Sequence, residues 1–142
     1  MRYLFAWYSS TVNLFGGVVY QLSTRDSSTV YMYGGEIDRV LSVGDSSVAS
    51  LFGGKIAADV AIFDSGMVKI YGYDFHWQRS GGGAESGMLS GYWLNGTAFS
   101  GMYLRNLPEP FPGSHIVLIP EPCTFLLLSL GSFILRRQNS SG

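Results

Sequence analysis

Ser27-Ser28-Thr29-Val30-Tyr31-Met32-Tyr33-Gly34-Gly35 decides the fold. In an extended chain Val30 and Met32 share one face, while Thr29, Tyr31 and Tyr33 share the other. Gly34-Gly35 then ends the strand, because glycine turns a tight corner at little steric cost. The phrase recurs upstream as Ser9-Ser10-Thr11-Val12-Asn13-Leu14-Phe15-Gly16-Gly17 and downstream as Ser46-Ser47-Val48-Ala49-Ser50-Leu51-Phe52-Gly53-Gly54. A degenerate copy follows as Ser65-Gly66-Met67-Val68-Lys69-Ile70-Tyr71-Gly72. The aromatic-Gly step falls at 15/16, 33/34, 52/53 and 71/72, a period of 18, 19 and 19 residues. Asp26, Asp45 and Asp64 keep the same beat, 19 apart.

Each unit carries a second apolar stretch: Val18-Val19-Tyr20, Ile37 with Val40-Leu41, and Ile56 with Val60-Ala61-Ile62. A unit of short strands and two corners is too small to bury its own apolar face, so units must stack. Stacking is expected to bury Val12, Val30, Val48 and Val68 in one inner column. Helical repeats of the common families run to about 33 residues or more and do not fit this period. The expected fold is all-β: a short, parallel β-helix-like β-solenoid of 18- to 19-residue rungs with a C-terminal β cap, followed by a short hydrophobic C-terminal helix. Residues 1–75 hold the repeats, 76–115 an irregular β cap and linker, and 116–142 the tail. Leu4-Phe5-Ala6-Trp7-Tyr8 has the phase of Val60-Ala61-Ile62-Phe63-Asp64, so the first rung is incomplete and more rungs are expected upstream. Met1 to Tyr8 does not have the form of a secretory signal peptide.

Beyond Tyr73 the repeat decays. Ser80 to Gly87 reads as a loop, and Met88–Leu94 and Thr97–Leu104 as two strands around Asn95-Gly96, a strong hairpin signal. Leu107 to Gly113 is a Pro-rich link, and Ile116–Ile119 a last short strand.

Composition agrees and excludes. The 142 residues are 46% hydrophobic and only 13% charged, with nineteen Gly. Nine Lys and Arg against ten Asp and Glu leave no basic stripe for nucleic acid. Cys123 is the single cysteine, which excludes an internal disulfide framework. No phosphate loop, dinucleotide fingerprint or ordered Ser-His-Asp set occurs, and no catalytic residue, metal site or cofactor is expected. Stacked Asp26, Asp45 and Asp64 would suit a turn role better than Ca²⁺, whose nonapeptide solenoids space their Asp differently. Asp74, His76 and Arg79 form the best catalytic-looking cluster, more simply read as a hydrogen-bonded cap. His115 reads as a surface residue. Tyr31, Tyr33, Tyr71, Tyr73 and Trp77 would form an exposed aromatic strip able to contact a glycan, although aromatic ladders also serve packing. Asn95-Gly96-Thr97 and Asn139-Ser140-Ser141 fit the N-glycosylation pattern, the first better explained as a turn.

The tail carries the most information. Pro120-Glu121-Pro122 precedes an uncharged, mostly apolar run, Cys123 to Leu135, and Arg136-Arg137 follow at once. A helix over 123–135 would be about 20 Å long, short of a hydrocarbon core of about 30 Å. The Arg pair would face the cytoplasm and leave residues 1–119 outside. This order resembles the PEP-CTERM protein-sorting signal of bacterial exported proteins, over Ile119 to Arg137. The resemblance implies recognition through Pro120, Glu121 and Pro122, retention by Arg136 and Arg137, and removal of the tail by the membrane enzyme exosortase. It also implies membrane attachment through the apolar helix before cleavage, and a destination at the cell surface or extracellular matrix, with exopolysaccharide as a neighbour. The Ser/Gly-rich repeats are similar to those joined to such tails. Five residues after the Arg pair, Gln138 to Gly142, make a slightly long end. The expected role is structural or adhesive. The alternatives are a carbohydrate-active β-helix enzyme resembling a polysaccharide lyase, or a glycan-binding module.

Overall fold

A computed structural model describes residues 2–79, 86–106 and 115–120. Among them the chain is all-β, twelve strands that wind as a β-solenoid of about four turns. On face A, β1 (Tyr3–Ala6), β3 (Val18–Thr24), β5 (Glu36–Val43), β8 (Asp59–Ile62) and β11 (Ala98–Asn106) pair in parallel. On face B the parallel series is β2 (Thr11–Leu14), β4 (Thr29–Met32), β6 (Val48–Leu51), β9 (Met67–Arg79) and β12 (Ile116–Ile119). A two-residue strand, β7 (Lys55–Ile56), adds to β5. The rungs are thus β1–β2, β3–β4, β5–β6 and β8–β9, with β11 and β12 laid on the last.

Register puts like on like. Leu4, Leu22, Leu41, Val60 and Leu104 align across face A, and Leu14, Met32, Leu51, Ile70 and Leu118 across face B. Leu22, Leu41, Val60 and Leu104 are wholly buried, and each such side chain contributes about 1.5–3 kcal/mol. The expected valine column needs one correction. Its members are Val12, Val30, Ala49, Val68 and Ile116, because Val48 pairs with Thr29 and Met67 and is only half-buried. Small Ala49 lies between Val30 and Val68 in that column at 0% exposure.

The 18-residue first period has a local cause. Val19 pairs with Ile37 but Gln21 with Val40, so the second unit bulges by one residue at Asp38-Arg39. Arg39 uses the excursion to reach back: its Nη1 donates to the Tyr20 hydroxyl at 2.9 Å, which raises the guanidinium pKa above its ordinary value.

Two corners recur. Gly17, Gly35 and Gly54 take φ values of 81°, 85° and 92°, the left-handed region that Cβ disfavours. Before the last two of these, Gly34 and Gly53 are needed for a different reason. A Cβ on Gly53 would lie 2.5 Å from the Tyr33 carbonyl oxygen of the rung below, so the chains can stack there only without a side chain. The opposite corner is turned by aspartate, described below.

In the fourth unit Tyr73 stands where the second glycine would be, and the corner is missing. β9 therefore runs straight on and pairs antiparallel with β10 (Gly87–Trp93), which pairs antiparallel with β11. This joins face A to face B in one continuous sheet at that end. The hairpin expected around Asn95-Gly96 is present. Gly96 sits at φ 88°, its N–H donates to Trp93 O at 2.9 Å, and Asn95 Oδ1 accepts from the Thr97 N–H at 2.9 Å. β12 heads the segment 116–142, yet its partner is the solenoid strand β9. The expected loop at 80–87 lies mostly outside the described residues, as do the Pro-rich link and the apolar helix.

A denaturation experiment separates the crowded glycine from the uncrowded one at the same corner position. Gly53→Ala should destabilise the protein by about 1–3 kcal/mol through the backbone clash. Gly16→Ala, whose Cβ would meet nothing within 4 Å, should change stability by less than about 0.5 kcal/mol. Urea midpoints for both variants check this.

Candidate functional site: the aromatic ladder and the carboxylate corner

The residues before the glycine corners are Phe15, Tyr33, Phe52 and Tyr71, and parallel stacking brings their rings together. Phe15 and Tyr33 stack at 5.0 Å between centroids and 8° between planes, Tyr33 and Phe52 likewise, and Phe52 and Tyr71 at 4.3 Å and 19°. Tyr31 adjoins Tyr33 at 6.4 Å. Tyr73 belongs to a different pair, stacked on Tyr92 at 5.3 Å across β9 and β10. Trp77 is exposed farther along β9.

The expected strip is therefore two separate stacks. Tyr33 and Tyr71 share the first with Phe15 and Phe52, while Tyr73 lies in the second. Phe15, Phe52 and Tyr92 complete these stacks, and the phase of the aromatic-Gly step already marked the first two. The geometry sets what the ladder can do. Rings stacked face to face along the solenoid axis spend their faces on one another and turn their edges sideways. Phe15 ends the stack and is 72% exposed.

The opposite corner is a ladder of carboxylates. Asp26, Asp45 and Asp64 lie at φ 57°, 52° and 53°, where aspartate is among the few side chains that enter readily. Tyr8 holds the equivalent place in the first rung at φ 60°. Two of the carboxylates reach back one rung: Asp26 Oδ2 accepts from the Tyr8 N–H at 2.8 Å, and Asp45 Oδ2 from the Asp26 N–H at 2.9 Å. The serines behind them are buried. Ser28 Oγ donates to Ala6 O at 3.1 Å and to Arg25 O at 2.7 Å, and Ser47 Oγ meets Thr24 Oγ1 at 2.8 Å. These carboxylates are backbone acceptors, and among the described residues no three His, Cys, Asp or Glu side chains gather as a metal site.

Asp74 and His76 approach to 3.6 Å between Oδ1 and Nε2, with their side chains 63% and 75% exposed. Asp74 has φ 53° and lies opposite the register shift between Ser90 and Tyr92, so it forms a β-bulge. His115 differs from its expected surface position. It is 8% exposed and its Nδ1 lies 2.9 Å from Gly66 O, because the chain returns there to lay β12 on β9. Pro120 is exposed just past β12, whereas Glu121, Pro122, Arg136 and Arg137 lie outside the described residues. No helix among the described residues is long and apolar enough to cross a membrane.

Comparisons with protein-family models, with curated proteins and with solved structures gave no match.

The carboxylate corner makes its own prediction. Asp45→Ala removes both the acceptor and the left-handed tolerance and should cost about 1–3 kcal/mol, whereas Asp45→Asn should cost less than about 1 kcal/mol. The thermal midpoint should be the same in EDTA and in millimolar Ca²⁺.

Proposed function

We propose that this is an exported protein of the cell surface or extracellular matrix, a structural or adhesive β-solenoid whose PEP-CTERM sorting tail is processed by exosortase. The observation that carries the reading is the order of the motif, the apolar run and the Arg pair over 120–137. Its position supports the same reading. β12 ends at Ile119 and the exposed Pro120 follows, so cleavage at the motif would leave every described rung intact. Until that cleavage the apolar helix would hold the chain in the membrane, with Arg136 and Arg137 on the cytoplasmic side.

A glycan-binding role is the second reading, favoured by the large aromatic side chains on the surface, Tyr3, Phe5, Trp7, Tyr8 and Phe15 among them. A carbohydrate-active enzyme has less support. It needs carboxylates, or a base and a cation, converging on one cleft, and Asp74 and His76 stand on open strand surface.

The mature protein's mass, measured from the envelope and medium of its native host, tests the proposal. A species ending near Pro122 is expected, and Glu121→Ala should leave the chain full-length in the membrane. A wild-type protein that stays full-length would overturn the sorting role. Asp74→Ala and His76→Ala should leave turnover of a polysaccharide panel at background.

A further inference from the structure

The outer side of face A does not repeat as the core does. Column by column, Phe5 of the first rung aligns with Ser23, Ser42 and Ala61. One residue past the paired strands, the Arg25, Gly44 and Phe63 N–H groups donate to Ala6 O, Thr24 O and Val43 O of the preceding rungs, which carries the same register on to Trp7, Arg25, Gly44 and Phe63. Between Phe5 and Trp7 of the first rung and Phe63 of the fourth, the second and third rungs therefore offer small groups at Ser23, Ser42 and Gly44, with the larger Arg25 beside them. The result is a groove of about 560 Å³, floored by Ser23, Ser42 and Gly44, with Phe5 and Trp7 at one end and Phe63 at the other. Asp45, Asp64 and Arg25 stand along its side, and Gln21 Nε2 donates to Ser23 Oγ at 3.2 Å on its floor.

Phe5 and Trp7 are 57% and 51% exposed, and their planes meet at 60° with centroids 6.2 Å apart. Unlike the Phe15–Tyr71 ladder, these rings are not stacked on one another, which leaves an aromatic face for a ligand. From the first rung to the fourth is three rung spacings, roughly 14 Å. A pyranose is close to one rung in length, so the groove matches about two or three sugar units laid along the solenoid axis.

We propose that this groove binds a neutral oligosaccharide stretch of a longer glycan, with sugar rings against Trp7 and Phe63 and hydroxyls toward Ser23, Ser42 and Gln21. The chemistry supports that class: aromatic walls suit the apolar faces of sugars, and a hydroxyl and amide floor suits their edges. Two carboxylates against one guanidinium leave the rim net negative, which disfavours uronate or sulfated chains. This deepens the adhesive reading by giving it a ligand, but the site stands on the groove alone and does not depend on how the tail is processed.

Native affinity electrophoresis tests it. The full chain, in a non-ionic detergent without a sugar headgroup, is run through gels cast with mixed-linkage glucan, galactomannan, xylan or alginate. Retardation is expected in at least one neutral gel and not in alginate. Trp7→Ala should weaken that retention by about tenfold, and Ser42→Leu, which fills the floor from an outward position, should abolish it with the circular dichroism spectrum unchanged. Trp77→Ala should leave it intact. No retardation in any neutral gel, stronger retention by alginate, or retention that survives both groove variants would overturn the proposal. Retention lost in Trp77→Ala or Tyr33→Ala, but kept in Trp7→Ala, would move the site to the exposed end of β9 or to the aromatic stacks and overturn it equally. Each outcome reads the groove whether or not the sorting tail is ever cleaved.

Discussion

Parallel rungs must stack in register at about 4.8 Å, and almost everything else in this molecule follows from that spacing. A residue here does not choose its surroundings freely, because the rung below presents its counterpart at one fixed distance. Where counterparts are Leu22, Leu41, Val60 and Leu104, the constraint builds a dry column. Where they are Gly34 and Gly53, it leaves no room for a Cβ against the carbonyl beneath. At the aspartate corner the same spacing places one carboxylate against the N–H of the preceding rung, so a turn residue becomes a link between turns.

Departures from the repeat are where the molecule changes direction. Tyr73 replaces a corner glycine, so β9 continues instead of folding back, and the hairpin that follows joins the two faces. The return of the chain at His115 then adds β12 to β9, which accounts for a buried histidine at a strand start. The other end has no such closure among the described residues: β1 and β2 are the terminal strands of the sheet. On the outer side of face A the positions are released from the core's demands, and there the side chains differ from rung to rung. The groove between Trp7 and Phe63 exists because of that variation.

Repetition made the solenoid legible. The phase of aromatic, glycine and aspartate positions located the corners and the strands, and the Asn95-Gly96 pair located the hairpin. Val48 misses the core column by one residue because the bulge at Asp38-Arg39 lengthens the offset between rungs from 18 to 19, and period and register part company there. The aromatic stacks were only partly legible. Alternation along a strand tells which side a ring faces, not which ring on the next rung it meets. Phe15 and Phe52 enter the ladder, and Tyr73 leaves it for Tyr92, through pairing between strands.

The sequence by itself determined the repeating unit, its corners and the motif order of the tail, because each is written in neighbouring residues and their spacing. Only the tertiary structure decided which carboxylate meets which N–H, how the hairpin joins the two faces, and where small side chains fall between large ones to open a groove. Those features depend on contacts between residues 18 or more apart, and register across rungs, rather than order along the chain, sets them.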